Sequence, residues 1–427
     1  MKILHIAPHL GGGVGRFCSN IYGIDSLHQH VFLLLQKPID THLLSNIYYE
    51  LLENIQINLQ LYIAEFDIVQ IEFWNHPLLL KFLIDHDLEN CRVLLYSHVS
   101  GIYAPNLIPK QIFDFCDLVI LSTPGASKQY LQQIFEGKCC VIHGVASTNK
   151  FQNLPLEKHD KFNIAYIGTA SFTKLHSFYL ESCKKIIRDI PNVHFLFVSN
   201  DSNSHLQEAI TNDEMERYFS FFTKLQDVGK ILSQADLFGY PLRADHFGTG
   251  EQSLIEAMSA GVPPVVLSNP AEMSLVQDGV TGFVATDMID YVKIIKFCSE
   301  NKEYLHQVSA QSQLVAVNEF TADKTLNSIM QIYNELFLVS KSDRSFSSLM
   351  PESDPHSIGF EIFKLFIDED SLITNFFESD NKMQSSYFKY RIQQSTLLGK
   401  NKGGICMYLD VFPEDRILRQ IADEVIV

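Results

Sequence analysis

"GTGEQSLIEAMSAGVPPVV", Gly248 to Val266, runs from a glycine-flanked turn through an amphipathic helix into an apolar strand. Thr249 and Gln252 have the spacing of a capping box, which predicts a helix start near Gly250. Gly261 and Pro263 predict its end. At about 100° per residue, Leu254 and Met258 fall within about 40° of each other, with Gln252 and Glu256 on the opposite side. Glu256 is therefore expected to face solvent or a ligand.

The helix-to-strand alternation in that stretch recurs along the whole chain. "KILHIA", "HVFLLLQ", "DIVQIEFW", "RVLLYSH", "DLVILST" and "CVIHG" are short apolar runs separated by helical patterns. The series restarts beyond Lys161 with "FNIAYIG", "VHFLFVS", "DLFGYPL", "VPPVVLS" and "GFVAT". Such runs belong to parallel sheets covered by helices on both faces, so the fold class is α/β with two doubly wound domains in tandem. Residues 1–155 form the first expected domain and 156–340 the second, closed by a helix carrying Phe320, Leu326, Met330, Tyr333 and Phe337. A Ser-, Pro- and charge-rich linker and a small, mainly helical appendage fill 341–427.

Composition supports folded cores: 46% of the 427 residues are hydrophobic and 19% charged. A formal net charge of −17 excludes a broad basic footprint for nucleic acid. The eight cysteines form no C-x-x-C pair, which indicates reduced, mostly buried thiols in a cytoplasmic protein and implies no disulfide framework or zinc site. The N-terminal apolar run is too short for a signal peptide or a membrane span. Any association with the inner face of the membrane would then be peripheral.

Four places carry candidate chemistry. In "LGGGVGRF", Gly12 and Gly13 lie between the first strand and the first helix, where glycine serves either a tight turn or close approach of backbone to a ligand. The spacing is not G-x-G-x-x-G, which disfavours a dinucleotide site. His98 ends the strand "RVLLYSH", the side of an α/β sheet where ligands bind, although a lone histidine there serves equally as a structural group. Lys174 in "YIGTASFTKLHS" and Arg243 in "YPLRADHFGTG" are cations suited to a phosphate or to plain solvation. The fourth is the opening stretch itself. A helix start offers N–H groups and the positive dipole end to a phosphate, and a carboxylate further along suits vicinal hydroxyls, so Thr249, Gly250 and Glu256 together describe a nucleotide.

"EQSLIEAMSAGVPPVVLSNPAEMSLVQDGVTGFV" resembles the nucleotide-sugar signature of retaining glycosyltransferases of the GT-B fold, family 4 or group 1. "MKILHIAPHLGGGVGR" is similar to their N-terminal glycine loop, and "HVSG", "VIHGV", "GTASFTK" and "LIEAM" follow in the order such a protein would have. The resemblance implies two Rossmann-like domains facing a cleft, the first on the acceptor side and the second holding the donor. It implies transfer of a hexose from a nucleotide diphosphate sugar to a saccharide acceptor in cell-surface polysaccharide synthesis. No cofactor or metal is implied. By the same resemblance Gly12 and Gly13 approach the donor pyrophosphate, His98 touches the transferred sugar or the acceptor, Lys174 neutralises phosphate with help from Arg243, and Glu256 holds the ribose.

Two positions depart from the family pattern. The carboxylate expected eight residues before Glu256 is replaced by Gly248, and Thr169 follows Gly168 where an arginine is common. Asp245, His246, Thr249 and Glu251 are candidate substitutes, with Glu251 expected in the first helical turn near the angular position of Met258. Two alternatives stay open: a nucleotide-sugar epimerase on the same architecture, and a non-catalytic nucleotide-sugar-binding or partner subunit. The sequence leaves the oligomeric state open.

Overall fold

The computed structural model describes residues 1–427 except 39–40, 125–136, 147, 156, 170–173, 200–203, 223–227, 247, 249–250, 352–353, 355, 367–402 and 426–427. The chain divides into two compact units, Met1–Ile142 with Leu326–Val427, and His143–Thr325.

In the first unit, strands β1 (Lys2–Ala7), β2 (Gln29–Leu34), β3 (Tyr49–Leu51), β4 (Ile68–Phe73), β5 (Leu88–Cys91), β6 (Val93–Ser97), β7 (Leu118–Leu121) and β8 (Cys139–Val141) follow in chain order. Seven of them form one parallel sheet in the order β3-β2-β1-β4-β6-β7-β8. The second unit contains β9 (Phe162–Ile167), β10 (Val193–Val198), β11 (Phe219–Phe222), β12 (Leu237–Tyr240), β13 (Pro264–Leu267) and β14 (Phe283–Ala285). They form a parallel sheet in the order β11-β10-β9-β12-β13-β14. β15 (Ser342–Arg344) pairs antiparallel with β5 in a separate two-stranded ribbon.

Every strand expected from an apolar run is present, because a parallel strand covered on both faces must be apolar at nearly every position. β4 is buried at all six residues, and so is β9. In each sheet the strand order reverses once beside the first strand, between β1 and β4 and between β9 and β12. These reversals are where open α/β sheets present a crevice at their carboxyl ends.

The division differs from the expected one. The breaks fall at 142/143 and 325/326, not at 155/156 and 340/341, and the C-terminal stretch completes the first unit. Phe360, Phe363, Tyr408, Leu418 and Ile421 share one buried apolar cluster with Phe73, Trp74 and Leu80. Tyr408 donates to Asn75 Oδ1 at 2.6 Å, and Asn75 Nδ2 donates to the Pro105 carbonyl at 2.6 Å, so this stretch fixes the turn that follows β4. Tyr333, in the helix Ala322–Phe337, donates to Gln70 of β4 at 2.7 Å, placing that part of the helix with the first sheet. Periodicity reveals an apolar face but not which unit that face covers.

All eight cysteines are free thiols, and burial raises the pKa of Cys91, Cys116, Cys183 and Cys298. Among the described residues, no helix is long and apolar enough to cross a membrane.

Candidate functional site

Lys174 follows β9 and Tyr240 ends β12, so both stand where the second sheet reverses. An antiparallel bridge between Leu175 and Leu242 ties the two segments, and Arg243 N donates to the Lys174 carbonyl at 2.9 Å. The two candidate cations are thus brought onto adjacent backbone. Arg243 forms a two-pronged pair with Asp245, with Nε and a terminal nitrogen each 2.7 Å from a carboxylate oxygen.

The opening helix starts later than its sequence predicts, at Gln252, and ends at Ser259 ahead of Gly261, whose φ is +75°. Thr249 and Gly250 lie outside the described residues. Glu251 is the residue before the helix, with φ +22° and ψ 52° and no capping hydrogen bond from its side chain. A left-handed backbone at a non-glycine residue costs about 1–3 kcal/mol and persists only where its surroundings fix it. Here the fixing group is the carboxylate, which is turned away from the helix. Its Oε2 accepts from the Tyr240 hydroxyl and from Lys174 Nζ at 3.2 Å, while Tyr240 also accepts from Lys174 at 2.7 Å.

This geometry accounts for the missing side chain at position 248. A Cβ built on Gly248 would lie 2.2 Å from Glu251 Oε1 and 3.3 Å from His246 Nδ1. The Glu251 carboxylate therefore fills the space that a side chain at 248 would enter. Residue 251 is not on the helix, so angular reasoning from a regular helix misplaced it; the left-handed turn redirects it.

Two further groups close the cluster. His246 Nδ1 accepts from the Gly248 N–H at 3.1 Å, and its Nε2 lies at ion-pair distance, 2.8 Å, from Oε1 of the buried Glu272. Burial pushes the Glu251 carboxyl up, but the Lys174 charge, with His246 and the Tyr240 hydroxyl, outweighs burial and holds it below its usual 4.5. Burial pushes Lys174 down, and Glu251 more than offsets that. Carboxylate and ammonium are both charged. Glu272, in the short helix Pro270–Met273 after β13, was not singled out in the sequence.

Glu256 occupies the middle of the helix and is 5% exposed, so it is buried rather than facing solvent. Every residue from Leu254 to Ser259 is buried, since this short helix is covered on all sides.

In the first unit Gly12 opens the helix Gly12–Tyr22 directly after the β1 turn, with φ +54°, which makes glycine the natural residue there. A Cβ on Gly12 or Gly13 would meet nothing within 4 Å. His98 follows β6 and donates through Nε2 to Glu72 Oε2 at 2.7 Å. Phe17, from the glycine-led helix, meets the His98 ring edge-on at 5.3 Å. Glu72 lies in β4 and also accepts from His5 Nδ1 at 2.6 Å and Gln70 Nε2 at 2.8 Å. Burial raises its carboxyl, and the two histidines more than compensate, bringing it to about 2. Glu72 and His5 were not singled out in the sequence, yet each is a charged or polar residue inside an otherwise apolar strand.

Residues 147–314, all within the second unit, match the family model of Glycosyl transferases group 1. The two reversing parallel sheets complete the assignment. The fold is that of GT-B proteins, and one segment of the chain matches the group 1 model. Over 248 residues it is 20% identical to spore coat protein SA of Bacillus subtilis strain 168, a match covering 52% of this chain and 64% of that relative. The chain thus spans less than two thirds of that relative's length. Anabaena HepE in complex with UDP is similar at a TM-score of 0.64 and 18% identity, over 78% of this chain and 100% of that one. HepE has also been crystallised with UDP-glucose. A glycosyltransferase from Rickettsia africae ESF-5 gives a TM-score of 0.64 at 16% identity, covering 79% and 99% of the respective chains. At these identities the likeness is one of fold.

Proposed function

We propose that this protein is a retaining glycosyltransferase that moves a hexose from a nucleotide diphosphate sugar to a saccharide acceptor, in the synthesis of a cell-surface polysaccharide. The observation that carries this reading is the Lys174–Tyr240–Glu251 group at the reversal of the second sheet, inside a group 1 segment. A fixed ammonium at such a crevice suits a departing diphosphate. Lys174 and Arg243 meet the charge that develops as the sugar–phosphate bond breaks. The acceptor hydroxyl oxygen bonds to the anomeric carbon on the face the diphosphate leaves, and its proton passes to a phosphate oxygen.

In this reading Glu256 receives the ribose hydroxyls, with Thr249 and Gly250 beside the phosphates. Gly12 and Gly13 leave open space for the pyrophosphate, and His98, oriented by Glu72, serves the acceptor side. Glu251 supplies the donor-sugar carboxylate that position 248 lacks. HepE in complex with UDP-glucose supports a donor of this class.

A second reading has an observation of its own. Lys174 is already engaged by Glu251, which suits a protein that binds a nucleotide sugar without turning it over.

The test is incubation of the purified protein with a panel of nucleotide sugars and saccharide acceptors, following free nucleoside diphosphate and the anomeric configuration of the product. Transfer with retention that is lost in Lys174→Ala and Glu256→Ala supports the proposal. Conversion of a nucleotide sugar to its epimer, product of inverted configuration, or binding without turnover would each overturn it. Exchanging the carboxylate position in a Gly248→Glu/Glu251→Gly double variant should recover more activity than either single variant.

A further inference from the structure

Beside β2 of the first sheet, three side chains converge without a role in the reading above. Asp25 and His28 lie in the turn between the helix Gly12–Tyr22 and β2, and His30 lies near the start of β2. His28 Nδ1 and His30 Nε2 both point at one oxygen, Asp25 Oδ2, from 2.8 and 2.9 Å. The other Asp25 oxygen is fixed by the backbone N–H groups of Leu27 and His28 at 2.7 and 3.3 Å. The side chains of Asp25, His28 and His30 are 1%, 9% and 5% exposed. Their ligand atoms lie within 4.8 Å of one another.

The hydrogen-bond sequence behind them supplies a second, independent observation. His30 Nδ1 is 2.8 Å from His5 Nε2, and His5 Nδ1 is 2.6 Å from Glu72 Oε1. Three contacts therefore link Glu72, His5, His30 and Asp25, each requiring an N–H, whereas two neutral imidazoles hold only two. With both rings neutral the series is one proton short. No lysine or arginine partners Asp25 or Glu72 among the described residues, so two buried carboxylates share imidazoles, amide and backbone groups only.

A divalent metal at the Asp25 corner supplies both the charge and the order. With the metal on His30 Nε2, the Nδ1–H donates to His5 Nε2 and the His5 Nδ1–H donates to Glu72. Both rings are then neutral and every contact has one proton. This is the outer arrangement that orients metal-bound histidines. Two nitrogens and one carboxylate oxygen suit zinc, whose ligands at about 2.0–2.1 Å stand about 3.3 Å apart in a tetrahedron. Reaching that spacing from 2.8 and 2.9 Å takes about half an ångström of side-chain movement.

We propose that Asp25, His28 and His30 bind one zinc ion that pins the start of β2 to the preceding turn, with His5 and Glu72 as its outer support. Its role is to fix local structure, and through Glu72 it adjoins the group that positions His98. To test it, the full chain is purified without a metal column, stripped with EDTA and dialysed against zinc chloride alone, and its metal content is measured. About one zinc per chain is expected, falling to less than about a tenth in a His28→Ala/His30→Ala variant. His5→Phe should weaken zinc binding by about 10–100-fold. Cobalt substitution of the unmodified protein tests the ligands without relying on variant folding: tetrahedral visible bands without a thiolate charge-transfer band are expected. No retained zinc, zinc persisting in the double variant, or a thiolate band implicating the neighbouring group Cys18, Glu72 and His98 would each overturn the proposal.

Discussion

Glu72 of the first unit and Glu251 of the second are both fully shielded carboxylates beside the point where their sheet reverses, but their partners differ. Glu72 is surrounded by His5, His98 and Gln70. Glu251 is held by Lys174 and Tyr240. Imidazole can release a proton when its carboxylate is removed, whereas a buried lysine ammonium does so only at a large cost. The two units therefore stabilise a buried negative charge by a yielding and an unyielding device.

The largest effect should come from breaking the unyielding pair. Glu251→Gln leaves Lys174 charged and buried, and should lower the stability of the second unit by about 3–5 kcal/mol in denaturant unfolding, with loss of any transferase activity. A cost below that measured for Glu72→Gln would break the comparison. For Glu72→Gln the expected loss is about 1.5–3 kcal/mol, the value of charged hydrogen bonds.

Acid titration sharpens the same contrast. The Glu251 carboxyl is depressed below 4.5 in the folded chain, so its stabilisation is fully present above its unfolded value and is lost as pH falls through the folded one. Lys174→Met removes the main opposing charge, and the acid unfolding midpoint of the second unit should move to higher pH. An unmoved midpoint would mean that Lys174 does not hold the carboxylate.

Smaller effects probe the packing around each carboxylate. Gly248→Ala forces Glu251 Oε1 from a position 2.2 Å from the new Cβ, and should cost about 1–3 kcal/mol by overpacking. Tyr333→Phe removes one hydroxyl from Gln70, two steps from the carboxylate, and should cost about 1 kcal/mol. Thermal unfolding of both variants checks the ranking.

The sequence made the strands readable wherever both faces are buried, as in "KILHIA" and "FNIAYIG". It left β3, β5, β11 and β15 unread, because strands of three or four partly exposed residues at sheet or ribbon edges lack a continuous apolar run. Lys174 and Arg243 were readable as cations after strands, since a strand's carboxyl end is a topological position. Glu251 was placed on the wrong geometry, because a left-handed residue breaks the angular count that a helix start assumes. Its cluster with Tyr240, His246 and Glu272 depends on three separate segments meeting, which spacing along the chain does not encode. The C-terminal helices posed the same difficulty: their apolar faces were evident, but their partner, the helix Pro77–Asp85 and the turn at Asn75, lies far earlier in the chain.

The division of the chain also sets an order for synthesis. His143–Thr325 is one unbroken run and has all of its residues once Thr325 has left the ribosome, whereas the first unit lacks Phe360, Tyr408 and Leu418 until much later. Domains made on a ribosome usually complete themselves from the amino end. Here the first sheet emerges earliest and is sealed last, so its apolar flank at Phe73, Trp74 and Leu80 stays uncovered while the second unit matures, a natural interval for chaperone engagement.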